Sequence, residues 1–189
     1  MSYSWEHEKQ KSLVGIIQRN STRINQIITE LLNSTKTLNL DFEQHSLQEI
    51  LDESLAVAQD RICLQKIKLE KTFQHSPFYV LADKPKLKIA FSNIIINAIE
   101  AMGAEKGKLL VSLNELPDSY VVSIKDNGHG IPKEFLLKLF EPFFTLKKNG
   151  MGLGLAASYS IFKSHKATMQ VENNVKVGTT FIMKFNKDM

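Results

Sequence analysis

The sequence predicts an α+β fold, with helices stacked on one face of a mixed sheet and a long helix ahead of them. Three observations carry this reading. From about Glu6 to Leu38 there is no proline, and Leu13, Ile16, Ile17, Ile24, Ile27, Ile28 and Leu31 recur at helical spacing. Further on, LLVSLNE and YVVSIKD alternate with the two-residue period of strands, between apolar runs that begin at helix-capping residues. The chain has 189 residues, 43% of them apolar, which suffices for one domain of ordinary size plus an extension.

The elements follow in order. At 1.5 Å per residue the first helix would reach roughly 50 Å, longer than a small domain is wide, so its apolar stripe calls for a partner helix and predicts a homodimer through this segment. A polar joint covers Asn39 to His45. Ser46, with Glu49 three residues later, makes a capping box for a helix whose apolar face includes Leu47, Ile50, Leu51, Leu55 and Ile62. Ile67, Leu69 and Phe73 alternate as a strand. Asp83 caps a further helix, with Pro85 tolerated in its first turn, running through Met102. LLVSLNE and YVVSIKD form a hairpin joined by LPDS, whose second strand delivers Asp126 to its exit. IPKEFLLKLF reads as a short helix and GLGLAASYSIFKSH as a longer one. MQVEN and TTFIMKF close the chain as another hairpin.

Composition excludes several function classes. The single cysteine, Cys63, rules out a disulfide framework and reads as a helix-packing residue; no Cys/His cluster has zinc spacing, which fits a reducing, cytoplasmic setting. The most apolar run, IAFSNIIINAIEAM, is interrupted by two asparagines and a glutamate, so no membrane segment is expected, and MSYSWEHEKQ lacks an apolar signal core. A net charge of +4 and a pI near 9.0 raise the question of nucleic acid. The lysines are scattered and few aromatics lie among them as stacking platforms, so no nucleic-acid partner is expected.

Three stretches carry chemistry. Asn93 and Asn97 lie one turn apart within SNIIINAIEAM, where an amide is costly unless something binds it. Two readings stand: a buried hydrogen bond to a neighbouring loop, or a hard cation such as Mg²⁺ whose other positions are filled by phosphates and water. DNGHGIP, residues 126 to 132, places a carboxylate at a strand end beside glycines. It fits either a strand-ending turn or an acceptor for an exocyclic amino group such as adenine's. GMGLGL, residues 150 to 155, precedes a helix, whose free N–H groups attract phosphate oxygens. It is neither the GxxxxGK[ST] loop nor a dinucleotide fingerprint, since no strand immediately precedes it.

In order, DKPKLKIAFSNIIINAIEAM, DNGHGIP, FEPFFTLKKNGMGLGL and GTTF resemble the asparagine box, first glycine box, phenylalanine box with second glycine box, and final glycine motif of sensor histidine kinases. The similarity covers roughly residues 41 to 189, the catalytic ATP-binding domain, whose family fold is a two-layer α/β sandwich of the Bergerat type. STRINQIITELLNSTK, within residues 1 to 40, resembles the second helix of the dimerisation hairpin. The resemblance implies ATP and Mg²⁺ as ligands. It assigns Asn97 to the metal, Asn93 to the phosphates and Asp126 to adenine N6, with Gly128 and Gly130 shaping that pocket. The stretch from Ile131 to Gly150 becomes an ATP lid, with Phe140, Phe143 and Phe144 as hydrophobic latches and Lys147 as a phosphate contact. Gly150, Gly152 and Gly154 become hinge and phosphate cradle, Thr179 reaches the adenine side through water, and Ile131 and Leu153 complete the nucleotide-binding set. Leu146 stands where close relatives often carry a second threonine.

The resemblance also implies what the reaction is. Related gyrase and chaperone ATPases carry a glutamate one turn before the metal asparagine, as general base for water. This chain has Asn93 there, and an amide has no useful proton affinity. The γ-phosphate is therefore expected to wait for a histidine, with transfer resting on positioning and charge neutralisation. That histidine is missing. His7 lacks the asparagine-proline of the family's HExxNPL run and shares an unbroken helix with Leu31; His45, His75, His129 and His165 have no acceptor context either. The expected partners are the first dimerisation helix carrying the acceptor and a response regulator receiver domain. The alternative is a nucleotide-gated binding module or anti-sigma-type kinase of the same superfamily.

Overall fold

The computed structural model describes residues 40–187 except 75, 104–105, 148–149 and 175–176. The expected N-terminal helix, its self-association, His7 and His75 lie outside the described residues. Strand β1 (Glu43–Ser46) leads into α1 (Leu47–Val57) and α2 (Gln59–Leu64), followed by β2 (Lys68–Phe73), β3 (Tyr79–Ala82) and α3 (Lys84–Ala101). Then come β4 (Lys108–Leu116), β5 (Ser119–Asp126), a 3₁₀ segment (Lys133–Lys138), α4 (Gly154–Ser164), β6 (Thr168–Asn174) and β7 (Gly178–Asn186).

The main sheet runs β2-β4-β5-β7-β6. Only β2 and β4 pair in parallel; the other neighbours are antiparallel, so the sheet is mixed as the sequence predicts. Along its central strands every second residue is buried: Leu109, Val111 and Leu113 on β4, Val122 and Ile124 on β5, Phe181, Met183 and Phe185 on β7. Leu87, Ala90, Phe91, Ile94, Ile95, Ala98 and Ile99 of α3 join the same core. Phe91, Phe162 and Phe185 meet at ring distances of 5.1 to 6.2 Å and tie α3, α4 and β7 together.

Helix α3 begins as expected. Asp83 Oδ1 accepts the Lys86 N–H at 3.0 Å, and Pro85 falls in the first turn. The fully buried His165, at the end of α4, accepts the Asp83 N–H on Nε2 at 3.0 Å. A main-chain N–H can only donate, so Nδ1 carries the ring proton and donates to the Ile161 carbonyl at 2.8 Å. This imidazole is held neutral, and burial pushes its pKa down against the pull of its polar partners.

Several expectations are corrected. The polar joint from Asn39 to His45 holds β1, which pairs with β3 as a separate two-stranded sheet. The helix opened by Ser46 ends at Val57, and Ile62 belongs to α2, beyond a joint at Ala58 with φ −99° and ψ 0°. The capping box is half made: Ser46 Oγ accepts the Glu49 N–H at 3.4 Å, while the Glu49 carboxylate takes Lys84. Cys63 is exposed rather than packed. Within the run IPKEFLLKLF, where a short helix is expected, Lys133–Lys138 form a 3₁₀ segment that buries none of its own residues.

Candidate functional site

Helix α3 presents Asn93 to the first turn of α4 and Asn97 to Lys147. Asn93 Nδ2 donates to the Gly154 carbonyl and to Ser158 Oγ, each at 3.4 Å. Ser158 is fully buried and donates to the Gly154 carbonyl at 2.8 Å, so its hydroxyl couples the asparagine to the first turn of α4. No side chain caps that turn, since Leu153 stands at the N-cap, and a Cβ on its first residue, Gly154, would lie 3.8 Å from the Asn93 amide. One turn on, Asn97 Oδ1 accepts from the Lys147 ammonium at 2.5 Å. Lys147 also pairs with Glu100, whose other oxygen holds Arg61 at 3.0 Å. The amide oxygen assigned to a hard cation thus already faces a positive charge.

At the exit of β5, Asp126 is only 2% exposed. Its Oδ1 accepts from the N–H groups of Gly128 at 2.8 Å and Thr179 at 3.3 Å. Burial raises the pKa of this carboxyl above the ordinary aspartate value, and those two donors work in the opposite direction. Gly128 is required here: a Cβ would lie 2.5 Å from the Ala101 carbonyl oxygen, which also accepts the His129 N–H at 3.3 Å. The glycine-rich loop therefore rests on the last turn of α3, one turn beyond Asn97.

The intervening stretch divides unevenly. Ile131 at its start is held by Asn173 on β6, through hydrogen bonds at 2.6 and 2.5 Å to its N–H and carbonyl. At its far end Gly152 takes φ +70°, where a Cβ would lie 2.4 Å from the Phe143 carbonyl carbon, and its own carbonyl accepts the Phe143 N–H at 3.0 Å. Gly130 also has positive φ, and the Gly150 N–H donates to the Lys147 carbonyl at 3.1 Å. Of the three phenylalanines expected as latches, Phe140 stacks on Tyr159 of α4 at 4.7 Å. Phe144 packs on Phe135, within the stretch itself, and Phe143 is 63% exposed.

These residues fit a nucleotide and a divalent cation. The desolvated carboxylate could accept from a base, the uncapped α4 could offer N–H groups to phosphate, and Asn97 could offer one oxygen to a metal that phosphates would share. Among the described residues no three His, Cys, Asp or Glu side chains gather into a metal cluster. Sequence reasoning missed Ser158, Asn173 and Glu100. Only Glu100 left a signal, as the charge one turn after Asn97 in an otherwise apolar run.

Residues 82–189 match the family described as histidine kinase-, DNA gyrase B-, and HSP90-like ATPase. The chain is 32% identical over 177 residues to sporulation kinase C of Bacillus subtilis (strain 168), covering 93% of this chain and 41% of that protein. It is 32% identical over 170 residues to the sensor histidine kinase ZraS of Klebsiella oxytoca, covering 89% of this chain and 37% of that one. The chain thus spans less than half the length of these curated relatives. The solved catalytic domain of histidine kinase ThkA, in a nucleotide-free form, superposes with a TM-score of 0.71 at 31% identity, covering 78% of this chain and 96% of that domain. ThkA in complex with the response regulator protein TrrA matches at TM-score 0.77 and 29% identity, over 95% of this chain and 52% of that one.

Proposed function

The chain belongs to the family of histidine kinase-, DNA gyrase B-, and HSP90-like ATPases, and from that premise we propose that it is the ATP-binding catalytic portion of a two-component sensor histidine kinase. Residues 41–189 form the catalytic domain, with a lid over 131–150, and residues 1–40 form part of the dimerisation stem through which two copies associate. Asp126 accepts from the adenine amino group, Asn93 and the α4 N-terminus face the phosphates, and Lys147 moves from Asn97 to a phosphate oxygen when nucleotide enters. Asn97 would hold Mg²⁺, which neutralises charge on the transferring phosphoryl group when bound. The acceptor is a histidine on the first dimerisation helix, presented in trans, and the phosphoryl group passes onward to a response regulator receiver domain. The setting is the cytoplasm; among the described residues no helix is long and apolar enough to cross a membrane.

The observation that carries this reading is the pairing of Asn93 with α4. Where an ATPase of this superfamily needs a general base, this chain has an amide committed to Gly154 and Ser158. Glu100 is the neighbouring carboxylate on α3, and it is bound to Lys147 and Arg61 on the other side of Asn97. Water activation is therefore disfavoured, and transfer to a delivered nucleophile is favoured. The test supplies a separate acceptor-helix peptide with ATP labelled on the γ-phosphate. Label on the peptide histidine supports the kinase; tight nucleotide binding with no transfer would instead support a nucleotide-gated binding module.

A further inference from the structure

We infer that Asn173 is the positioning residue that fixes the root of the lid against the base pocket. Its amide does two things at once: Oδ1 accepts the Ile131 N–H at 2.6 Å and Nδ2 donates to the Ile131 carbonyl at 2.5 Å. This is the bonding of a strand partner, supplied by a side chain to a residue outside the sheet. The reverse orientation of the amide would set donor against donor and oxygen against oxygen, so the pairing also fixes which way Asn173 points. Directly across the ladder from Asn173 is Thr179. Its hydroxyl donates to Asn173 Oδ1 at 3.5 Å, and its main-chain N–H donates to Asp126 Oδ1 at 3.3 Å. One short chain of polar contacts therefore runs from the buried carboxylate through Thr179 and Asn173 to the first residue of the lid. Because β6 is an edge strand, its residue can spend both amide groups on the lid while the β6–β7 ladder stays intact.

This inference deepens the nucleotide-binding reading and rests on it for its functional consequence. Whatever the remainder of the lid does, Ile131 stays in register with Asp126, and motion begins beyond it at Pro132. The experiment compares the full chain with Asn173→Ala, which removes both bonds, and Asn173→Asp, which keeps the shape but loses the donor and turns a carboxylate toward the Ile131 carbonyl. Amide hydrogen exchange at Ile131 is read without nucleotide, and ADP affinity is read by calorimetry. Exchange at Ile131 should accelerate in the Ala variant, ADP affinity should fall about tenfold in both variants, and thermal midpoints should stay close to that of the unchanged chain. Unchanged exchange in the Ala variant, or an Asp variant that binds ADP like the unchanged chain, overturns the proposal. If the unchanged chain fails to bind ADP, the nucleotide reading is what has failed, and the exchange measurement alone decides the clamp.

Discussion

At the base end of the site, a carboxylate that is 2% exposed takes two main-chain N–H groups; at the phosphate end, Asn97 shares a half-exposed lysine with Glu100. The base end is built from backbone donors and buried side chains, so its geometry is set by the fold before any ligand arrives. The phosphate end is built from long side chains on a surface where ion pairs contribute little, and its contacts can be exchanged at small cost. On the proposed reading, base recognition would be preformed, and phosphate and metal recognition would be assembled on binding.

The largest expected effect is at the preformed end. Asp126→Asn places an amide against the Gly128 and Thr179 N–H groups and the base, and adenine-nucleotide affinity should fall about 100-fold. Discrimination of ATP from GTP should fall with it in parallel titrations; retained discrimination would break the contrast. The next effect concerns the placement of α3, which His165 anchors through Asp83. The folded pKa of His165 is lowered, whereas the unfolded imidazole titrates near 6.5, so the unfolded chain binds the proton first as pH falls. His165 therefore contributes stability that is fully present above about pH 6.5 and lost as pH drops below it toward the folded pKa. Urea midpoints at pH 7.5 and 5.5 should show this, and His165→Asn, which does not titrate, should narrow the difference. The smallest effect is at the exchangeable end. Glu100→Ala removes exposed ion pairs and should change stability by less than about 1 kcal/mol, measured by denaturant unfolding.

The same contrast explains what could be read in the sequence. Asn97 and Asp126 stand out because each is a polar group in apolar company at a definable place, mid-helix or strand exit. Helix α3 and the β4–β5 hairpin were legible because their caps, turn residues and periods agree. The pairing of β1 with β3 was not, since EQHS is polar and its partner lies far along the chain, joined only by tertiary contact. IPKEFLLKLF has helical composition, yet Lys133–Lys138 buries no residue and Leu137 is 92% exposed, so propensity there lacks the packing that sustains a helix. Ser158 and Asn173 are ordinary polar residues in sequence, and their roles come from what α3 and the lid bring to them.

The most direct test of the account is a calorimetric titration with a non-hydrolysable ATP analogue, with and without Mg²⁺, on the unchanged chain and on Asn97→Ala. The account predicts that Mg²⁺ tightens binding at least about tenfold in the unchanged chain, and that this gain disappears in the variant while its helix content is kept. Equal tightening by Mg²⁺ in both proteins, or loss of helix content in the variant, would contradict it.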